Sequence, residues 1–537
     1  MAQRKRIVIV GGGFAGVYTA KHLEKLLGSR DDYEIFLISK ENYFVFQPML
    51  PELISGTIGL LDIGSPLRHL LPRTNVHARE VELIDLQAQT VTTTHGFRAK
   101  PHVLAYDHLV LALGNVTDFR GLRGLPEHAL PFKNLADAVH LRNHVVRALE
   151  EAAIEDEDKD LRQQLLTFVV AGGGFSGVEV AAELNDFVRG VARRYRGISP
   201  SELRVVLVHS GERILPEVSE TLANFAQTIL RKRGVELALK TRLKAATGEQ
   251  AILANGATIP TRTLVSTVPS SPHPLIEALG VPKTKAGKIE VNDKLAVDGF
   301  DNVWALGDCA QVPEPGKEGY CPPTAQHAIR QGRTAAQNVV AAIRGGTPAA
   351  FDFGGLGKMG SLGHHCAVAE VFGLRISGFL AWWMWRTVYL MKLPGWGRRL
   401  KVATSWTLDL FLPPELTELK LIGTSGIAEE HFEPGEEVFQ QGDLGDRMYI
   451  ILSGRAEVVR SDNGTENVLA ELGPGEYFGE MALLHKTTRN ASVRCLEAMN
   501  TLSIPKREFN VLSASLPQLK TSFEQKSEKR KAADRAS

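Results

Sequence analysis

The stretch FVVAGGGFSGVEVAAEL, residues Phe168–Leu184, decides the fold. Its apolar start predicts a short buried strand over Phe168–Ala171, and Val178–Leu184 predicts a helix without a breaker. The pattern G-x-G-x-x-G between them has its glycines at Gly172, Gly174 and Gly177. Such glycines make the tight turn, let the backbone approach a pyrophosphate and let helix pack on strand. The stretch therefore predicts a dinucleotide phosphate at the N-terminus of a helix.

A second copy of the pattern lies at the N-terminus, in VIVGGGFAGV at Val8–Val17. Its glycines are Gly11, Gly13 and Gly16. A strand is predicted over Arg6–Val10, a helix over Ala15–Leu27 and the next strand over Glu34–Ser39, which completes a βαβ unit. Two copies in one chain indicate two nucleotides bound side by side.

Both copies lack the acid that such fingerprints place about 20 residues further on, where it holds a ribose 2′-hydroxyl. In the first unit Ser39 occupies that position, and Glu41 comes two residues later. In the second unit the strand Leu203–Val208 is followed by His209, with Arg213 nearby. A glutamate there would bind the ribose diol and repel a 2′-phosphate. The sequence therefore leaves both NADH and NADPH open.

The composition is that of an ordinary soluble protein of several domains. The chain has 537 residues, of which 44% are apolar and 23% are charged, and its net charge is +1, which gives no bias toward nucleic acid. Its four cysteines have no C-x-x-C spacing, so neither a disulfide framework nor a metal site is expected. The start MAQRKR leads directly into the first strand, which predicts a cytoplasmic chain without a signal peptide.

The second nucleotide unit is predicted to interrupt the first. The strand His108–Asn115 contains Gly114, where a backbone passes close to a cofactor, and Asn302–Ala310 predicts a strand that ends in Gly-Asp. Asp308 can accept hydrogen bonds from the ribityl hydroxyls of a flavin. This segment is therefore predicted to belong to the flavin domain. Two dinucleotide sites favour a flavoprotein that uses a nicotinamide coenzyme, with FAD in the first site and NAD(P)H in the second.

Residues 373–408 contain no acid, several cations and five of the six tryptophans. Ile376–Leu393 is too short and too charged to span a membrane, but suits a helix lying in the membrane interface, with Trp at headgroup depth and Arg or Lys on anionic lipid. A core helix or a homodimer interface is the alternative. No apolar run reaches the about 18 residues of a membrane-spanning helix.

The C-terminal part predicts a separate all-β module. After Pro413-Pro414, short alternating strands are separated by glycine turns, over Glu437–Phe439, Arg447–Leu452, Arg455–Arg460 and Val468–Leu472. Residues 517–537 are charged and low in apolar residues, which predicts a disordered tail.

Six segments carry a resemblance to a known family: GGGFAG (11–16), NYFVFQP (42–48), GGGFSGVEVAAEL (172–184), RILPE (213–217), LGDCA (306–310) and AQHA (325–328). Through them, the chain from about Arg4 to Leu412 resembles the type II NADH dehydrogenases, a family of NADH:quinone oxidoreductases with two dinucleotide-binding folds. The Trp-rich basic stretch follows where that family carries its membrane-anchoring helices. The resemblance implies non-covalent FAD, hydride transfer from NADH to the flavin, two-electron reduction of a quinone and no proton pumping.

The resemblance also implies the residues of the site. FAD is expected at Gly11, Gly13, Phe14, Ala15, Gly16, Lys40, Gln47, Gly114, Asp308 and Gln326, and NAD(P)H at Gly172, Gly174, Phe175, Ser176, Gly177, Glu179 and His209. Glu179 and Glu183 lie one helical turn apart. The family places the first of them near the nicotinamide and the flavin, whereas a solvated helix pair is the alternative. Gln326 matches the family's quinone-site glutamine, but the second glutamine of the family is Arg330 here, followed by Gln331.

Two segments of the C-terminal module are FEPGEEVFQQGDLGDRMYIILSGRAEV (432–458), with a glycine-turned β-roll pattern, and FGEMALLHKTTRNASV (478–493). Through this pattern, and because the second segment matches their phosphate-binding cassette, the module resembles the cyclic-nucleotide-binding domains. The resemblance implies Glu480 at a ribose 2′-hydroxyl and Arg489 at the cyclic phosphate, with Gly479, Ala482 and Ser492 completing the pocket. An always-charged guanidinium suits a buried phosphate. The ligand, cAMP or cGMP, stays open, as does a degenerate β-roll that binds neither.

The sequence therefore predicts an α/β flavoenzyme with Rossmann-like domains, amphipathic helices and a β-roll. Its predicted parts are a FAD domain (1–165 and 286–350), an NAD(P)H domain (166–285), a membrane-associating region (351–412), a linker (413–426), a cyclic-nucleotide module (427–516) and a tail (517–537). It is expected to act at the cytoplasmic face of the membrane. A soluble NAD(P)H oxidase or diaphorase and a flavin redox sensor are the alternatives. Disulfide reductases are disfavoured, since residues 40–60 contain no cysteine.

Overall fold

A computed structural model gives the structure. It describes residues 4–28, 32–94, 102–117, 119, 121–267, 270–409, 411–412, 416–418, 427–443, 445–462, 465–485, 488–506 and 508–509. The predicted tail and most of the predicted linker lie outside these ranges.

The first nucleotide unit is built around a parallel five-stranded sheet. Its strands and those around it are β1 (Lys5–Val10), β2 (Tyr33–Ser39), β3 (Tyr43–Val45), β4 (Gly64–Pro66), β5 (Asn75–Ala78), β6 (Val81–Asp85), β7 (Thr90–Thr93), β8 (His102–Ala105), β9 (His108–Leu111), β10 (Asn115–Thr117) and β11 (Ala129–Pro131). The helices are α1 (Phe14–Leu27), α2 (Glu52–Ser55), α3 (Leu67–Leu70), α4 (Leu125–His128), α5 (Leu135–Ile154) and α6 (Lys159–Leu165). Near-continuous burial of β1 and β2 is what a sheet covered on both faces requires.

The inserted unit forms a second parallel sheet. The unit as a whole contains β12 (Thr167–Ala171), β13 (Arg204–Val208), β14 (Val235–Ala238), β15 (Leu243–Ala246), β16 (Gln250–Leu253), β17 (Thr258–Pro260), β18 (Thr263–Ser266) and β19 (Ser270–Pro272), with helices α7 (Phe175–Ala192), α8 (Glu220–Lys232) and α9 (Pro274–Ala278). Of these strands, β15, β16 and β17 form a sheet of their own, and β19 pairs with β10. The sheet order is β11-β18-β12-β13-β14. The strand β11 therefore belongs to this sheet, although the predicted boundary at residue 165 places it in the first unit.

The chain then returns to the first sheet. This part holds β20 (Ile289–Glu290), β21 (Val303–Ala305), β22 (Ala310–Gln311) and α10 (Ala325–Arg344). Because β21 pairs in parallel with β9, the first sheet has the order β21-β9-β1-β2-β5. A Cβ on Gly332 would lie 2.8 Å from the Ala15 carbonyl oxygen, so this glycine lets α10 pack closely on α1. The packing of α10 on α1 places the N-terminus of α10 beside the first glycine loop.

A three-stranded sheet and two helices follow. They are β23 (Gly357–Ser361), β24 (Ala367–Val371), β25 (Leu374–Gly378), α11 (Phe379–Lys392) and α12 (Trp396–Asp409). The predicted helix over Ile376–Leu393 therefore starts three residues late, because its first residues end β25 at Gly378, which has φ of +76°.

The C-terminal module consists of two antiparallel four-stranded sheets. Its elements are β26 (Ala428–Phe432), β27 (Glu437–Phe439), β28 (Arg447–Ser453), β29 (Ala456–Asp462), β30 (Thr465–Leu472), β31 (Tyr477–Phe478), α13 (Glu480–His485), β32 (Ser492–Cys495) and β33 (Met499–Pro505). The sheet orders are β26-β33-β28-β31 and β27-β32-β29-β30. Phe432, Tyr449 and Phe478 pack together in its core, separately from the core of the reductase.

The sequence pattern over Asn134–Asp160 predicts one helix with a charged end, but the structure has two helices there. Asn134 and Asp137 form a capping box that starts α5, and the Asp158 carboxylate accepts N–H bonds from Asp160 and Leu161 to start α6. The acidic run that the sequence places at a helix end therefore contains a second helix start.

Candidate active site and cofactor sites

The first glycine loop, between β1 and α1, needs its glycines for close approach. Gly11 has φ of +117°, and a Cβ there would lie 2.1 Å from the Ala112 carbonyl oxygen. A Cβ on Gly16 would lie 1.9 Å from the Gly11 carbonyl oxygen, so helix and strand touch at that position. Gly13 caps α1, and among the described residues no atom beyond its two chain neighbours lies within 4 Å of a Cβ built there. The loop thus has an open side in front of a helix N-terminus, as a pyrophosphate requires.

The second glycine loop repeats this geometry between β12 and α7. Gly172 has φ of +122°, and a Cβ on Gly177 would lie 1.8 Å from the Gly172 carbonyl oxygen. Gly174 caps α7 in extended conformation. The strand, turn and helix predicted from the sequence are confirmed for both copies.

A cavity of about 950 Å³ joins the two units. Of the predicted site residues, it is lined by Gly11, Gly13, Phe14, Ala15, Gln47, Gly114, Phe175, Ser176, Glu179, Asp308 and Gln326. A neighbouring cavity of about 270 Å³ shares Gly11–Phe14 and is lined by Ser39, Lys40 and Glu41. Gly16, Gly172, Gly174, Gly177 and His209 do not line the large cavity. The two cavities on either side of one glycine loop suit the two ends of FAD.

Charge in the large cavity suits a diphosphate. Its cations outnumber its acids and are Lys133, Arg330, Arg333, Lys358, Lys392 and Arg399, against Glu179 and Asp308. No cysteine is among the described residues that line it, and the buried Cys309 donates to the Leu306 carbonyl oxygen. The cavity therefore lacks the thiol pair that disulfide reductases use.

Asp308 belongs to a polar cluster at one wall of the cavity. The Asn115 side chain donates to the Asp308 carboxylate at 3.3 Å, and the Lys133 ammonium contacts both oxygens of Asn115. Burial lowers the pKa of Lys133 to about 8, opposed by Asp308 and Asp137. Burial raises the pKa of Asp308, opposed by Lys133 and Lys288. This cluster offers donors and acceptors to a hydroxylated chain.

Sequence reasoning named Asp308 but missed Asn115 and Lys133. Asn115 directly follows Gly114, so its position next to a cofactor glycine was a usable signal. Lys133 follows β11, a short strand of the second sheet that the sequence pattern does not predict. The sequence therefore did not indicate that Lys133 lies at the cavity.

Glu179 and Glu183 are buried, which excludes the alternative of a solvated helix pair. The Glu179 carboxylate accepts the Ser361 N–H at 3.0 Å and lines the cavity. Burial raises the pKa of Glu179 to about 8 and that of Glu183 to about 8. Glu179 therefore holds a proton at neutral pH, at the wall of the cavity.

A third buried carboxyl lies beyond them, on α2. Burial raises the pKa of Glu52 to about 7, opposed by Arg386 and by the Trp406 indole. The indole donates to Glu52 at 2.8 Å, and the Arg386 guanidinium lies 3.7 Å away and between the Trp382 and Trp406 rings. The carboxyl cluster thus connects α2 and α7 with α11 and α12.

Gln326 is held at the cavity by backbone groups. Its amide nitrogen donates to the Gly357 carbonyl oxygen at 3.2 Å, and its oxygen accepts the Leu356 N–H at 3.1 Å. One turn later Arg330 lines the cavity with its guanidinium 3.9 Å from the centre of the Phe353 ring. Gln331 instead accepts the Gly307 N–H at 2.9 Å. Arg330, rather than Gln331, therefore takes the place next to Gln326 in the cavity.

His209 occupies the end of β13 as a neutral side chain. Its Nδ1 accepts the Gly173 N–H at 3.1 Å, so that nitrogen carries no proton, and burial lowers the pKa of the ring. Arg213 donates to the Leu215 and Val218 carbonyl oxygens, at 3.5 and 3.1 Å. The Arg213 guanidinium, which the sequence suggests as a partner for a 2′-phosphate, is therefore hydrogen-bonded to backbone carbonyl oxygens.

The C-terminal module brings its predicted phosphate residues to one place. Arg489 is buried and donates to the Gly479 and Arg447 carbonyl oxygens, both at 2.7 Å. Its guanidinium lies 4.0 Å from the centre of the Phe439 ring and 3.5 Å from Asp446. The side chain is therefore positioned by groups that a phosphate would replace.

The other predicted residues of the module lie around it. Glu480 and Ala482 are buried at the start of α13, and a Cβ on Gly445 would lie 2.3 Å from the Ala482 Cβ. The Ser492 hydroxyl accepts the Gln441 N–H at 2.9 Å.

The Trp-rich region is partly core and partly surface. Trp382, Trp385 and Trp406 are buried, so the expectation that the tryptophans of Ile376–Leu393 lie at headgroup depth is wrong for Trp382 and Trp385. Trp383 and Trp396 are 58% and 79% exposed. Other exposed apolar residues nearby are Phe372, Leu374, Phe379, Leu380, Met391, Leu400, Leu408, Phe411 and Leu412. Within the described residues, no helix has the length and apolar character needed to cross a membrane.

Comparisons with known proteins agree with this architecture. The family "Pyridine nucleotide-disulphide oxidoreductase" matches residues 5–332, the "NDH2 C-terminal domain" matches 356–412, and the "Cyclic nucleotide-binding domain" matches 429–515. A type II NADH:quinone oxidoreductase of Staphylococcus aureus is 31% identical over 75% of this chain and 99% of its own length. A probable NADH dehydrogenase of Dictyostelium discoideum is 28% identical over 77% of this chain and 91% of its own.

Solved structures share the fold. The chain is similar to NDH2 from Plasmodium falciparum in complex with NADH, with a TM-score of 0.71 at 19% identity over 77% of this chain and 100% of that one. A sulfide:quinone oxidoreductase from Aquifex aeolicus gives a TM-score of 0.59 at 22% identity over 77% and 98%. The chain belongs to the type II NADH:quinone oxidoreductase family and carries, in addition, a cyclic nucleotide-binding domain.

Proposed function

We propose that this enzyme, an FAD-dependent NADH dehydrogenase by family, reduces a membrane quinone and is modulated by a cyclic nucleotide. One observation carries the proposal: a single cavity is lined by the first glycine loop, by Phe175 and Glu179 of the coenzyme unit, and by Tyr389 and Lys392 of α11. Residues of the flavin side, the nicotinamide side and the exposed apolar helices therefore meet at one space.

FAD, when bound, supplies a carrier that takes a hydride from NADH and passes two electrons on. The net reaction is NADH + quinone + H⁺ → NAD⁺ + quinol, so one proton comes from the protein or solvent. The first glycine loop would hold the diphosphate, and the cluster of Asn115, Lys133 and Asp308 would hold the hydroxylated chain. Phe175 and Ser176, which line the cavity at the start of α7, would orient the nicotinamide.

Glu179 holds the proton that quinol formation needs. It lines the cavity, and its raised pKa keeps it protonated near neutral pH. Arg330 and Lys392 line the same cavity and would attract the oxygens of a quinone as negative charge develops there. Gln326 positions the segment at Leu356 and Gly357.

Steady-state oxidation of NADH tests this function against the two rivals. The proposal predicts turnover with a short-chain quinone that is far faster than turnover with oxygen alone. Faster turnover with oxygen would favour a soluble oxidase, and negligible turnover with every quinone would favour a flavin redox sensor.

Membrane attachment is a separate part of the proposal. The exposed apolar residues of β25, α11 and α12 are accompanied by the cations Arg375, Lys392, Arg398, Arg399 and Lys401. That combination suits an anionic membrane surface, on the cytoplasmic side where the coenzyme is available.

A further inference from the structure

The C-terminal module contacts the reductase through β26. The His128 Nε2 of α4 lies 2.7 Å from the His431 carbonyl oxygen of β26, and Arg123 forms an ion pair with Glu433 at 3.4 Å. His431 is buried, and its Nδ1 contacts the Asn500 side chain at 2.5 Å. This contact was not predictable from the sequence, because the two histidines of α4 and β26 are 303 residues apart.

The contact leaves little room for sliding. Gly124 has φ of +70°, and a Cβ there would lie 1.8 Å from the Ala246 carbonyl oxygen and 2.9 Å from His431. The start of α4 is therefore enclosed between β15 of the coenzyme unit and β26 of the module. A second contact, between Glu436 and Thr247, lies beside it.

On the module side, two successive polar contacts connect β26 at the interface with Arg489, the arginine expected to bind phosphate. Arg489 donates to the Arg447 carbonyl oxygen at 2.7 Å, and the Arg447 guanidinium pairs with Glu430 at 2.5 Å. Glu430 precedes His431 on β26. The buried Arg489 Nε–H has no hydrogen-bond partner among the described residues and can receive a phosphate oxygen. A phosphate there also competes for the N–H groups now given to Gly479 and Arg447, because a charge-assisted bond to phosphate is stronger than one to a neutral carbonyl.

On the reductase side, the interface leads to the flavin cavity. α4 ends at His128, β11 starts at the next residue, and Lys133 follows β11 by two residues. Because α4 and β11 are directly consecutive, a shift of α4 acts on β11, which pairs in parallel with β18. Lys133 contacts Asn115 beside Asp308 in the cavity.

We propose that the His431–His128 and Glu433–Arg123 contacts form a built-in docking surface, through which a cyclic nucleoside monophosphate bound at Arg489 changes the Lys133 wall of the flavin cavity. This inference rests on the proposed nucleotide binding by the module. It places the effect on flavin reduction by NADH rather than on membrane attachment. The two sites are coupled only if the nucleotide binds the two arrangements with different affinity.

The test uses the full-length FAD-loaded enzyme. Flavin reduction by NADH is followed by stopped-flow absorbance with and without saturating cAMP, and in a second series with cGMP, while calorimetry measures nucleotide binding. The wild type is expected to show a change of about fivefold or more in rate or in half-saturating NADH with the nucleotide that binds. The variant Arg123→Ala/His128→Ala is expected to bind the nucleotide and to lose that change. Arg455→Ala, which breaks an exposed ion pair elsewhere in the module, is the matched control and is expected to keep it.

Three results would overturn the inference. Binding of a nucleotide without any change in flavin reduction rejects the coupling but leaves the module's ligand intact. A full response in Arg123→Ala/His128→Ala rejects the assigned surface. Absence of binding by both nucleotides rejects the module's proposed ligand, and the coupling with it.

Hydrogen–deuterium exchange on the wild type gives a readout that needs no variant. Saturating nucleotide is expected to change exchange in residues 122–133, whereas the β6–β7 hairpin, which is outside the interface, is expected to stay unchanged. Equal exchange in 122–133 with and without bound nucleotide contradicts the proposal.

Discussion

At the scale of single residues, we expect His209 to influence how strongly the enzyme distinguishes NADH from NADPH. Its neutral ring accepts the Gly173 N–H and offers no negative charge against a 2′-phosphate, while Arg213 is committed to backbone carbonyls. We predict that His209→Glu raises the ratio of kcat/KM for NADH over NADPH by about tenfold or more, since a carboxylate binds the ribose diol and repels the phosphate. The neutral variant His209→Gln serves as the control, and an equal rise in both variants would contradict the role of charge.

At the same scale, we expect Glu179 to determine how quinone reduction depends on pH. Its pKa of about 8 means that it is protonated below pH 8 and ionised above it. We predict that kcat with quinone falls through pH 8 in the wild type, and that Glu179→Gln lowers kcat at pH 7 by about tenfold or more and removes this fall, since an amide donates no proton. Reduction of ferricyanide, which takes up no proton, should be spared. A quinone profile in Glu179→Gln that matches the wild type would remove Glu179 from the proton path.

At the scale of elements, α11 and α12 serve two purposes at once. The buried Trp406 and Arg386 contact the Glu52 carboxyl, whereas Trp383 and Trp396 face outward. We predict that Trp383→Glu/Trp396→Glu lowers flotation with phosphatidylglycerol vesicles by at least about tenfold, because each lost apolar side chain costs about 1.5–3 kcal/mol. Ile154→Glu, at an equally exposed apolar site at the end of α5, is the control and should float as the wild type does. Equal flotation of both variants would contradict this membrane surface.

The elements also show what the sequence could and could not predict. Strands and helices around both glycine loops follow from local rules, since a strand, a tight turn and a helix are fixed within about 20 residues. The return of β21 to the first sheet was predictable from Gly-Asp at 307–308. The place of β11 was not, because a three-residue strand has no periodicity and gains its position only from pairing with β18. The split of the 134–160 helix depended on one cap, Asp158, within an acidic run.

At the scale of the whole molecule, the FAD unit, the coenzyme unit and helix α11 line one cavity. The C-terminal module contacts α4, which leads through β11 to Lys133 at the wall of that cavity. The glycine loops and the Asp308 position were predicted because each follows a motif. Lys133, Arg330 next to Gln326, and the contact of α4 with β26 depend on tertiary placement, for which local sequence carries no signal. The molecule therefore combines a predictable electron path with a domain contact that only the structure reveals.

We infer that this cavity carries two electrons from NADH to a quinone through FAD. A spectral titration of the purified protein under anaerobic conditions tests this electron path, by following the flavin band while NADH and then a quinone are added. We expect a flavin spectrum that NADH bleaches at about one equivalent per FAD and that the quinone restores. A protein without a flavin spectrum, or a bleached flavin that the quinone leaves unchanged, would contradict it.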